Sequence, residues 1–155
     1  MIPHREYQYT EFKTSFSDEV VVSLVAFANA KGGEVYVGVK DNTEVVGVEV
    51  GQETAKWVND VKQKTEPSII PDVEMVEKDG KQVVVSSVQE YPVKPVAMKG
   101  RYYRRLQNSN HLLSLDEIAN MHLQTRMEGN IGWDYGDCFL KYRNGKKIQS
   151  VRKSA

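Results

Sequence analysis

The apolar positions change period several times along the chain, and each change marks an element. Tyr7 to Phe12 alternate large and polar side chains, the period of a strand. Ser17, Asp18 and Glu19 then supply an N-cap and acids for the positive helix end, and Val20 to Ala30 run on as a buried helix until Gly32 and Gly33 stop it. EVYVGV (34 to 39) and EVVGV (44 to 48) flank the turn-forming KDNT and predict a hairpin. Ala55, Val58 and Val61 recur at three-residue steps beside Trp57, predicting an amphipathic helix over Gln52 to Thr65 that ends before Pro67. Asp72 to Val76 and Gln82 to Val88 enclose KDGK, a second hairpin. YPVKP (91 to 95) is a rigid connection into Val96 to Met98 and a strand over Arg101 to Leu106, followed by a polar loop at Asn108, Ser109 and Asn110. Ser114 and Glu117 form a capping box for a third helix ending near Met127, and Phe139 to Tyr142 with Ile148 to Val151 flank the turn signal NGKK.

This order predicts an α+β fold: a mostly antiparallel or mixed sheet with two or three packed helices. Regular βαβ alternation is absent, which argues against a doubly wound nucleotide fold. The 155 residues suit one main domain over 1 to 123. Residues 124 to 155 read as a linker, an appended hairpin and a basic tail leading to a further C-terminal region. Cys138 stands alone, and no Cys/His cluster has zinc-site spacing. The longest apolar run, Val20 to Ala28, is interrupted by Ser23 and falls far short of the ~18 residues of a membrane span. Glu6 and Glu11 lie where the apolar stretch of a secretion signal would be. The expectation is a cytoplasmic protein with no membrane partner.

Charge changes this picture. The chain carries 21 Lys and Arg against 21 Asp and Glu, yet ten of the bases fall in two acid-free stretches, residues 99 to 105 and 141 to 155. The rest holds eleven bases against all 21 acids. Such segregation provides one surface able to meet phosphate and another that repels it. In KGRYYRR (99 to 105) the cations alternate with rings, so a strand places Arg101, Tyr103 and Arg105 on one face and Tyr102 and Arg104 on the other. Rings for base stacking beside cations for phosphate suit single-stranded nucleic acid. The alternative is an edge strand with one Tyr in the core and Arg stems covering apolar surface.

Three chemistries lack their motifs: there is no phosphate loop, no Gly-x-Ser-x-Gly elbow and no His-Glu-x-x-His pair. His4, His111 and His122 are scattered and read as surface or partly buried residues. The remaining candidates are the carboxylates Glu6, Glu11 and Asp41, which paired strands could bring to one rim to hold Mg²⁺ or Mn²⁺. Their spacing raises an objection, since residues five apart on a regular strand face opposite sides. A shared site requires Glu6 to precede the strand, or a bulge between the two.

The segments EYQYTEFK (6 to 13), AFANAKGGEVYVGVKD (26 to 41), VVGV (45 to 48), KGRYYRR (99 to 105) and SNH (109 to 111), with the helix opening at Asp116-Glu117-Ile118, together resemble the Schlafen AlbA-type domain. The resemblance covers about residues 3 to 123. It implies an Alba-like or Schlafen-core-like fold and a DNA-binding or RNA-binding module of the kind found in proteins labelled transcriptional regulators or RecG-related helicases. Lys13, Lys99, Arg101, Tyr103, Arg104 and Arg105 are the contacts expected. The related Schlafen nuclease core implies an alternative, a Mg²⁺- or Mn²⁺-dependent endoribonuclease with Glu6, Glu11 and Asp41 as catalytic and metal-binding residues. Such nucleases join two modules, so a homodimer is an outcome this reading allows. A second alternative that the resemblance implies, an ATP-binding regulatory module of a RecG-related helicase-like protein, finds little support in a chain without a phosphate loop, so ATP is not the cofactor expected. Asn29, Gly32 and Gly33 are expected to be structural: Gly32 supplies the positive φ that ends the helix, and Gly33 lets the next strand start close by.

Overall fold

The computed structural model describes residues 2–3, 5–131, 142–143 and 146–147. The chain divides into two compact units, Met1–Tyr91 with Pro95–Ser114, and Pro92–Lys94 with Leu115–Ala155. The first ends earlier than the boundary expected at residue 123.

In the first unit, β1 (Thr10–Lys13), helix α1 (Asp18–Ala28) and β2 (Gly33–Val37) form a crossover that leaves β1 and β2 parallel. Helix α2 (Gln52–Lys64) and the two-residue β3 (Thr65–Glu66) follow, then the hairpin of β4 (Asp72–Lys78) and β5 (Lys81–Val88). The unit closes with β6 (Ala97–Met98), β7 (Arg101–Leu106) and β8 (Ser109–Leu112). One sheet runs β1-β2-β5-β4 and is antiparallel except at β1; the other runs β3-β6-β7-β8 and is antiparallel throughout. The mixed α+β architecture is the one expected. Its first step is nevertheless a βαβ crossover.

Helix α1 packs against strands of both sheets. That explains why it is apolar nearly all round: Val20, Val21, Leu24, Val25, Phe27 and Ala28 are all buried, a pattern for a helix enclosed on more than one side. Each fully buried Val, Leu or Phe contributes roughly 1.5 to 3 kcal/mol, which outweighs the small helix-propensity cost of the four valines in the helix. In α2 the buried face is Thr54, Trp57 and Val61, while Ala55 is exposed. Of the predicted face, Trp57 and Val61 are in the core and Val58 packs against it, and Ala55 alone lies off it.

Two sequence expectations fail locally. The first hairpin does not form as drawn, because β2 takes β1 and β5 as its neighbours. Residues 44 to 48 make only a bridge between Val39 and Val45, with the N–H groups of Val46 and Gly47 both donating to the Gly38 carbonyl at 2.8 and 2.9 Å. Gly38 and Gly47 have φ of 108° and 79°, left-handed values that turn the backbone out of strand geometry. Of the polar loop expected at Asn108, Ser109 and Asn110, the last two lie in β8, where ladder bonds to β7 satisfy the backbone whatever the side chains are.

The glycine pair does behave as expected. Gly32 ends α1 at a φ of 84°, where a Cβ would come within 2.8 Å of the Val88 carbonyl oxygen. A Cβ on Gly33 would lie 2.5 Å from the Phe27 ring. Asn29, buried just beyond α1, accepts from the Val96 N–H at 2.7 Å and donates to the carbonyls of Val96 and Tyr103 at 2.9 and 2.8 Å. It ties the helix end to the strand bearing the basic motif.

In the second unit, α3 spans Leu115–Ile131, extending past Met127, and Lys94 N–H donates to Thr125 Oγ1 at 3.2 Å. β9 (Tyr142–Arg143) and β10 (Lys146–Lys147) pair antiparallel, as the NGKK signal predicts. The outer parts of that hairpin, Phe139 to Lys141 and Ile148 to Val151, and the tail's Arg152 and Lys153 lie outside the described residues. Among the described residues no helix is long and apolar enough to cross a membrane.

Candidate functional site

The chain ahead of β1 resolves the spacing problem. Tyr7 and Thr10 exchange two backbone hydrogen bonds, of 3.0 and 3.1 Å, closing a tight turn through Gln8 and Tyr9. The strand therefore starts at Thr10 rather than Tyr7, and Glu6 precedes it and folds back alongside. The Phe12 N–H donates to Glu6 Oε2 at 3.1 Å and to Glu11 Oε1 at 3.2 Å. Two oxygens sharing one nitrogen at that range lie well inside ~8 Å, twice the ion spacing of a two-metal site.

Behind this pair stands Arg105. Its Nη1 donates to Glu11 Oε2 at 2.7 Å and to Asn110 Oδ1 at 2.9 Å, and its Nη2 donates to the carbonyls of Tyr7 and Thr10 at 2.9 and 3.0 Å. The guanidinium lies 4.9 Å from the centre of the Phe27 ring. Asn110 Nδ2 in turn donates to Ser23 Oγ on α1 at 3.0 Å. The Arg105 side chain has 0% of its surface exposed and that of Glu11 8%, so this is an interior ion pair. Arg105 fastens the turn before β1, β1 itself and the β7–β8 hairpin in one place.

The two carboxyls titrate in opposite directions. Burial, the hydrogen bond to Glu11 and repulsion from Glu11 and Asp41 push Glu6 up to about 7, against the Phe12 N–H, which favours its charged form. Burial alone would raise Glu11 too. The hydrogen bonds from Glu6 and Arg105, with the positive charges of Arg105 and Lys13, overcome that and hold Glu11 below the usual carboxylate range. At neutral pH the pair thus shares a proton that resides on Glu6 for a substantial fraction of molecules, while Glu11 keeps its charge against Arg105.

Asp41 is near enough to repel Glu6 but lines a separate surface concavity with Lys13, Glu19 and Lys40. Among the described residues no group of three or more His, Cys, Asp or Glu side chains is placed to hold a metal ion. Both oxygens of Glu11 already accept hydrogen bonds. The expected Mg²⁺ or Mn²⁺ set therefore does not fit this arrangement, which is a carboxyl pair bound to an arginine with the third acid apart.

The basic strand divides by face. Tyr103 and Arg105 face inward: the Tyr103 ring packs against the core around α1, and Arg105 is buried. The Arg105 charge is spent on Glu11 inside the protein, and Tyr103 is half-buried. Arg104 faces outward and is exposed, with His111 its partner across the β7–β8 ladder. Arg101 is exposed at the start of β7. Lys99 pairs with Asp18 at 2.9 Å, beside a Lys64–Asp18 bridge of 2.7 Å, and Lys13 pairs with Glu19 at 3.1 Å. Of the six expected contacts, Arg101 and Arg104 remain as exposed cations outside these pairs. The sequence places Tyr102 on the face of Arg104 without counting it among the expected contacts, and Lys31, Asn110 and His111 are not among those contacts either. Alternation alone supplied the signal for Tyr102; for Lys31 and His111 there was none, because their proximity to β7 is a product of folding.

Comparison with known proteins follows the same lines. No curated protein matches the chain. Among solved structures, the DIP2311 protein from Corynebacterium diphtheriae is similar in fold, with 18% identity and a TM-score of 0.59 over 68% of this chain. The matched part spans only 22% of that protein's length. The N-terminal domain of a RecG-related protein from Nitrosomonas europaea aligns at 23% identity and a TM-score of 0.40, over 69% of this chain and 82% of the other. The family model described as Schlafen, AlbA_2 matches residues 6–114, which takes in the Glu6 turn, the α1 clamp and the whole β7–β8 hairpin, and this chain belongs to that family.

Proposed function

We propose that this chain is a nucleic-acid-binding domain of a transcriptional regulator, meeting DNA or RNA through the outer face of the β7–β8 hairpin. One observation carries this reading: Arg104 and His111 stand side by side on that face, exposed, with no ion pair among the described residues. Tyr102 lies on the same face one alternation away, so ring and cation share it, although Tyr102 is partly buried. Contacts of this kind fall mainly on phosphate, which makes affinity steeply salt dependent. The test is anisotropy with labelled single-stranded DNA and tRNA across a salt series, for the natural chain and for Arg101→Ala plus Arg104→Ala. Absence of binding at low salt, or binding indifferent to the double substitution, overturns it.

The endoribonuclease reading draws on a different observation, the juxtaposition of Glu6 and Glu11. It requires Asp41 to approach and Glu11 to loosen from Arg105. Incubating the same tRNA with and without Mn²⁺ tests it, cleavage that Glu6→Gln abolishes being the supporting result.

A further inference from the structure

A surface concavity of about 510 Å³ opens beside the β7–β8 turn. Gln8, Lys31, Arg104, Gln107, Ser109 and His111 line it, and no Asp or Glu does. Lys31 comes from the turn after α1, Gln8 from the turn before β1 and the rest from the hairpin, so three parts of the chain place cationic or hydrogen-bonding groups around one hollow. None of Lys31, Arg104 and His111 has a carboxylate partner among the described residues. Three positive or protonatable groups converging without a counterion leave an unbalanced potential, and that is the electrostatic condition for holding an anion. The amides and the hydroxyl add neutral donors suited to phosphate oxygens. Arg105 forms part of the same lining, and its other side holds Glu11. Gln8 is two residues from Glu6.

The geometry points to this hollow as a phosphate subsite, which seats one phosphate of a nucleotide and directs the attached chain past the Glu6–Glu11 pair. The inference rests on the nucleic-acid reading above and adds Lys31 and Gln8 to it. The phosphate belongs either to a strand or to a free mononucleotide.

Binding of a labelled single-stranded oligonucleotide and of adenosine 5′-monophosphate is measured for the natural chain, for Lys31→Ala plus His111→Ala, and for Gln8→Glu, which places an acid at the rim. All three residues are exposed, and an unchanged thermal midpoint confirms that each variant is folded. The subsite predicts at least about tenfold weaker strand affinity in the double variant, with the salt slope reduced by about one for each phosphate that is no longer neutralised. Displacement of the strand by the mononucleotide, abolished in the same variants, assigns the site to free nucleotides; no displacement, with the variants still weakened, assigns it to strands. If the natural chain binds the strand and both variants bind it equally well with the same salt slope, the subsite is refuted while the nucleic-acid reading stands. If the natural chain binds neither probe, both fail.

Discussion

Arg104 and Arg105 are chemically identical neighbours on one strand, yet they occupy opposite environments. Arg105 enters the protein, where it neutralises Glu11, caps two carbonyls and lies over Phe27. Arg104 stands in solvent beside His111. The difference teaches that a basic motif is two half-motifs: one face assembles the fold, and the other is available to a partner. A charge count over KGRYYRR cannot separate them, because the pleat assigns alternate residues to different tasks.

Substitutions that sharpen this contrast differ widely in size. Arg105→Ala strands Glu11 as a buried, uncompensated charge and is expected to cost about 3 to 5 kcal/mol, read as a large fall in the urea midpoint. A loss below about 1 kcal/mol in that experiment would show that water reaches the pair and that the inner face is not an interior at all. Asn29→Ala attacks the same inner face through the clamp on Val96 and Tyr103. It leaves the buried Val96 N–H without its acceptor and is expected to cost about 1 to 3 kcal/mol.

The carboxyl pair gives the inner face a pH signature. The folded chain holds a proton on Glu6 more tightly than the unfolded chain does, so stability from this group falls as pH rises from about 4.5 to about 7. Glu11 acts oppositely: its contribution is present above its ordinary value of 4.5 and is lost as pH falls through its lowered folded one. Glu6→Gln is expected to flatten the first dependence and, allowing for partial solvent access, to stabilise the chain at pH 8 by about 1 to 2 kcal/mol. Equal urea midpoints for the two proteins at pH 5 and at pH 8 would contradict the shared proton.

The smallest stability effect belongs to the outer face. Arg104→Ala is expected to move folding stability by no more than about 0.5 kcal/mol while weakening strand binding about tenfold. A large loss of stability in that variant would collapse the distinction between the faces.

Much of the scaffold was legible in the chain because its signals are local. The acidic start of α1, the stop at Gly32, the KDGK hairpin and the alternation in KGRYYRR depend on residues within a few positions of one another. The site was only half legible. Glu6, Glu11 and Asp41 were found as types, but a fold-back at Tyr7 to Thr10 joined the first two and left the third on another surface. Residues 44 to 48 had strand composition and lost the competition for β2 to β5, a strand that lies far along the chain.

The sequence by itself determined that Arg104 and Arg105 point in opposite directions, since the period of a strand is a property of its own backbone. It also marked Gly32 and Gly33 as the stop of α1, although that Gly33 has no room for a Cβ beside the Phe27 ring is a product of packing. Which arginine would be inside was decided only by tertiary structure, because a strand acquires an interior when α1 and the Glu6 turn pack against one side of it. The same packing supplied the one acid, Glu11, that makes an interior arginine tolerable, and it left Arg104, Lys31 and His111 together in water without one.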